Sequence, residues 1–84
     1  MKFPVFLVTP RHGYLIITID DQFRKEEAAG EYSHYSSIVG NNVYLEEDCD
    51  APRYAELRRI DLSAIPIVYG DFNRCSYPPV NQRR

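Results

Sequence analysis

Two short apolar runs open the chain. Phe3 to Thr9 and Tyr14 to Ile19 are both rich in β-branched and aromatic side chains, and Pro10, Arg11, His12 and Gly13 break them apart. That pattern predicts an antiparallel hairpin with a four-residue loop. Pro4 suits a strand start, where its missing N–H removes no ladder bond. Beyond Ile19 the apolar positions thin out. Asp20 and Asp21 close the strand, and Asp21 reads as the N-cap of a short helix over 22–29 whose apolar side is only Phe23 and two alanines, ended by Gly30. Tyr32 to Val39 mixes aromatic, hydroxyl and β-branched residues, which favours an extended strand. Gly40, Asn41 and Asn42 then supply turn chemistry, so Val43, Tyr44 and Leu45 read as the return strand of a second hairpin.

The strongest helix signal covers 50–59. Pro52 falls in its first turn, Asp50 is the candidate N-cap, acids precede it, and Arg58 and Arg59 close it, an order that complements the helix dipole. Ile60, Leu62, Ile65, Ile67, Val68 and Tyr69, interrupted by Pro66, read as a linker entering a final strand. Gly70 onward is rich in turn residues and has no period, so 70–84 is expected to be irregular and 81–84 a mobile tail. The architecture expected is α+β: one small domain, an antiparallel sheet of two hairpins plus a final strand, one main helix and a short second one.

Composition narrows the class. A chain of 84 residues supports one core, and 44% hydrophobic with 26% charged residues places it among folded globular domains. Ten basic against twelve acidic residues give a net charge of -2, which creates no positive field for direct nucleic-acid binding. No apolar run approaches the ~20 residues of a membrane span, and the first residues lack the pattern of a secretory leader, so a cytoplasmic protein without a membrane partner is expected. Cys49 and Cys75 could form one disulfide, whereas small secreted domains usually carry several, so both read as reduced thiols.

Candidate chemistry is sparse. Glu46, Glu47, Asp48 and Asp50 form a dense acidic run around Cys49. The run lacks the spaced carboxylates and fixed glycine of a calcium loop, and an aspartate there can equally cap the following helix. His12, His34, Cys49 and Cys75 show no zinc spacing, so they could meet on a metal or act as a catalytic pair only through the fold. Gly13, Gly30, Gly40 and Gly70 stand in separate turns and make no phosphate-cradling loop. No catalytic residue, metal or cofactor is therefore expected. Tyrosine is abundant and suits contact surfaces, although most such rings in an ordinary domain keep their bodies in the core.

These observations favour a non-enzymatic interaction module or inhibitor that meets a protein partner through Glu46, Glu47, Asp48 and Asp50 with Tyr44 and Tyr54. No stretch matches a nameable motif. The small, motif-free, mildly acidic profile resembles the accessory and inhibitor proteins of phages and mobile elements. That resemblance implies steric or charge-mimetic blocking of a nucleic-acid-handling host defence enzyme. The alternatives are a homo-oligomeric structural or assembly module, such as a homodimer, whose Phe3–Ile19 hairpin pairs edge to edge with a copy of itself, and a small metal-binding or cysteine-dependent enzyme.

Overall fold

The computed structural model describes residues 3–80, so the expected mobile tail at 81–84 lies outside the described residues. Both hairpins form where the apolar pattern places them. Strands β1 (Val5–Val8) and β2 (Gly13–Thr18) pair antiparallel with Val5 opposite Ile16 and Leu7 opposite Tyr14. Thr9 builds the loop between them: its N–H and Oγ1 both donate to the His12 carbonyl, at 2.9 and 2.7 Å, and Oγ1 accepts the His12 N–H at 3.0 Å. Strands β3 (Ser37–Val39) and β4 (Asn42–Glu46) form the second hairpin, turning at Gly40, whose φ of 62° favours a residue without a Cβ. The strand expected from Tyr32 starts only at Ser37, because Tyr32 drops into the core and Ser33 and Ser36 are drawn to Asp50.

Strand β4 also pairs with β2, Leu45 facing Leu15. The last strand, β5 (Ile67–Tyr69), lies beside β1 and runs parallel to it, which makes a mixed five-stranded sheet of order β3-β4-β2-β1-β5. A wholly antiparallel sheet is excluded because the chain crosses to the far side of β1 before re-entering. Strand β2 sits at the centre, and every residue from Gly13 to Ile17 is buried, so its apolar run serves both faces of the sheet.

One face carries Leu15, Ile17, Val43 and Leu45 and packs against Phe23, Tyr32, Ala51 and Tyr54. Helix α1 (Asp21–Ala28) supplies Phe23, which stacks on Tyr32 with ring centroids 5.2 Å apart. Its cap is Asp20, one residue before the expected Asp21, since the Asp20 carboxylate accepts the Phe23 N–H at 2.7 Å. Helix α2 (Asp50–Arg58) supplies Ala51 and Tyr54. Here Cys49 precedes the helix without a side-chain cap, and Asp50, the expected N-cap, lies inside the first turn with its carboxylate turned elsewhere. The helix ends at Arg59 in the left-handed region, φ 56°, with no glycine to announce the stop.

Arg58 ties the two helices together. Its guanidinium donates to Glu26 at 3.0 Å and to Asp20 at 3.1 Å and lies 4.6 Å above the Tyr54 ring, while the Tyr32 hydroxyl donates to Glu26 at 2.8 Å. Burial, with Glu26 beside it, pushes the Tyr32 hydroxyl well above the usual phenol range. No helix among the described residues is long and apolar enough to cross a membrane.

The second sheet face carries Val5, Leu7 and Ile16, with Tyr44 and Val68 beside them on the neighbouring strands, and Phe3 and Phe72 pack against it. The segment after β5 is irregular apart from a short 3-10 turn at Arg74–Ser76, yet it is anchored. Ile38 donates to the Pro78 carbonyl at 2.9 Å, Val80 donates to the Ser36 carbonyl at 2.8 Å, and the Val80 side chain is fully buried among the residues packed under the helices. Residues 78–80 thus cover the outer edge of β3.

Two outcomes follow from this packing. Val80→Ala removes buried apolar volume and is expected to lower unfolding free energy by about 1.5–3 kcal/mol in chemical denaturation. Burial is the largest single influence on the Asp20 carboxyl and raises it, but the Phe23 N–H and Arg58 together outweigh it and hold the carboxyl below the ordinary 3.8. A depressed folded value adds stability above 3.8 that is lost as pH falls through it. Melting temperature should therefore drop on acidification below that point, and Asp20→Asn, which keeps a capping side chain, should flatten the drop.

Candidate functional site

The acidic run divides into inward and outward members. Asp50 is 3% exposed and accepts the Ser33 N–H at 3.0 Å, the Ser33 hydroxyl at 2.8 Å and the Ser36 hydroxyl. Glu46 is 6% exposed, and its Oε1 accepts the Asp48 and Cys49 N–H groups at 2.9 and 3.0 Å, folding the turn that leads into α2. Ser36 joins the two acids, because its hydroxyl also accepts the Glu46 N–H at 2.9 Å. Glu47 is half-buried and Asp48 is exposed, so these two are the members that meet solvent.

The tyrosines do not border one surface. Tyr44 is half-buried on the second sheet face, its ring 4.4 Å from Phe72, while Tyr54 is buried on the helix side beneath Arg58. Cys49 and Cys75 are both free and exposed. Desolvation and the charges of Glu46, Asp50 and Asp48 push the Cys49 thiol up, away from the thiolate form a nucleophile needs.

Glu47 and Asp48 line a groove of about 360 Å³ together with the apolar Phe6, Leu62, Ile65 and Ile67. The groove leads to β5, whose Ile67 and Tyr69 are 57% and 80% exposed. Alternation puts both side chains on the helix face of the sheet. The backbone follows the same rule. Phe6 N–H bonds to the Pro66 carbonyl and Gly70 N–H to the Val8 carbonyl, so the N–H and C=O of Ile67 and Tyr69 point away from β1 toward the open edge. The first hairpin, by contrast, has no free edge, because β2 is flanked by β4 and β1 by β5. Pro66 before three apolar residues marks a short edge strand in the sequence, but only the topology reveals that their side chains are uncovered.

A second concavity of about 520 Å³ lies between the Thr9–His12 loop and residues 71–75, with Arg11, His12, Tyr14, Arg74 and Cys75 among its walls. His34 is elsewhere, its ring 4.3 Å from that of Tyr35. His12 stands beside two of the acids: ligand atoms of His12, Glu46 and Glu47 all lie within 4.8 Å of one another. Gly13 makes this approach possible, since a Cβ there would sit 2.6 Å from Glu47 Oε1 and 2.6 Å from the Phe6 ring. Burial raises the Tyr14 hydroxyl above its ordinary range, Arg74 opposes this, and Glu46 and Glu47 add to it.

The chain matches no family model, no curated protein and no solved structure.

Asp50→Ala would strip the Ser33 and Ser36 donors of a buried charged acceptor. It is expected to lower unfolding free energy by about 3 kcal/mol in denaturant titration, whereas Asp48→Ala should stay within about 0.5 kcal/mol of the parent.

Proposed function

We propose that this protein is a non-enzymatic interaction module that takes an extended, basic segment of a protein partner along the open edge of β5. The supporting observation is the coincidence, on Ile67 and Tyr69, of uncovered apolar side chains and outward-facing backbone donors and acceptors. An added strand satisfies those groups, and alternate side chains reach the neighbouring groove. Glu47 and Asp48 at the groove favour Lys or Arg on the incoming segment.

Size decides between a segment and a second copy of the chain. An edge of three residues contributes little of the roughly 1,200–2,000 Å² that stable protein dimers bury, but it suits a short strand with one or two anchoring side chains. On this reading the acidic border competes with nucleic-acid phosphates for a basic surface. That is the mode of action of an inhibitor directed at a nucleic-acid-handling host defence enzyme.

Short synthetic peptides alternating valine and lysine serve as the probe, with binding followed by backbone amide NMR shifts. Shifts are expected to centre on Ile67, Tyr69 and the Glu47–Asp48 turn, and to weaken with added salt. Ile67→Lys combined with Tyr69→Lys should abolish them without unfolding the chain, because both side chains are already exposed. Shifts centred elsewhere, or binding retained by that double variant, would overturn the proposal.

A further inference from the structure

His12 is carried by the loop of the first hairpin, whereas Glu46 and Glu47 end β4. The pairing of β2 with β4 brings them together across 34 residues of sequence. The three side chains offer one imidazole nitrogen and two carboxylate oxygens within 4.8 Å of one another. Metal–ligand bonds of about 2.1 Å hold donors about 3–3.5 Å apart, so a movement of about 1 Å would close the set around an ion.

Charge points to a cation. The ion pairs among the described residues are formed by Arg53 with Glu31 and Glu56 and by Arg58 with Asp20 and Glu26; none includes Glu46 or Glu47. Two carboxylates this close repel, and burial of Glu46 strengthens the repulsion. A divalent ion between them would remove that penalty.

The donors are also held in place. One Glu46 oxygen is fixed by the Asp48 and Cys49 amides, which leaves the other available. Glu47 is anchored by its own N–H on the Gly13 carbonyl at 3.1 Å and lies over the bare Gly13 Cα. The backbone of His12, and with it the loop that carries the imidazole, is set by reciprocal bonds with Thr9. Tyr14, 2% exposed, lines the same cleft as His12.

We propose that His12, Glu46 and Glu47 bind one divalent ion of the zinc class per chain, with a remaining coordination position open to the cleft that His12 and Tyr14 line. The imidazole selects Zn2+ over Mg2+ and Ca2+, and the two carboxylates also admit Co2+ and Mn2+ with lower affinity. Bound there, the ion staples the first hairpin loop to the end of β4. This site does not rest on partner binding, and its test contains no partner.

The test uses the full chain, stripped with chelator and titrated calorimetrically with Zn2+, Co2+, Mn2+ and Mg2+. The expected result is one Zn2+ per chain, Mn2+ weaker, Mg2+ without effect, and a melting temperature that rises with Zn2+ concentration. His12→Ala and Glu47→Gln, both on side chains that reach solvent, should each weaken Zn2+ binding about tenfold or more with circular dichroism unchanged. Cys49→Ser with Cys75→Ser should leave binding intact. Absence of stoichiometric Zn2+ binding would overturn the proposal. So would binding that survives the His12 and Glu47 variants, or binding lost with the two thiols.

Discussion

The hydroxyl of Ser36 holds three parts of the chain in one place. It donates to Asp50 in the first turn of α2, accepts the Glu46 N–H at the end of β4, and sits on a residue whose carbonyl receives the Val80 N–H. A buried carboxylate is tolerated at Asp50 only because Ser33 and Ser36 supply donors and the α2 N-terminus lies at hand. Without this node the acidic turn, the main helix and residues 78–80 would have no common register.

Two of the acids are thereby internal fittings of the fold, and the charge left for solvent belongs to Glu47 and Asp48. These two line the apolar groove, and Glu47 also stands beside His12. Both acids thus lie at the β4–α2 turn, and Glu47 faces the loop of the first hairpin.

Much of the fold was legible in the chain. The alternation of apolar runs with Pro, Gly and Asn marked both hairpins, and the Asp50–Arg59 pattern marked the main helix, because local propensity and burial agree there. The direction of β5 was not legible, since whether a last strand lies parallel or antiparallel depends on where the chain crosses the helix layer. Position 20 rather than 21 became the cap because an aspartate pair offers two equivalent registers. Nor could the sequence divide the acidic run. The Asp50 side chain is drawn inward by Ser33 and Ser36, and the Glu46 backbone is fixed by Ser36 ten positions earlier, contacts that no local pattern encodes. His12 likewise looked isolated because its neighbours are brought by cross-strand pairing and not by spacing.

Strand β5 is bonded along one side only and keeps just Val68 partly covered. An element with so little burial opens at a smaller free energy than the central strands, so its amide protons should be the first of the sheet to exchange with solvent. A strand added beside it would give up part of its affinity to stilling a fraying margin, and such association would register as slowed exchange across β1 as well.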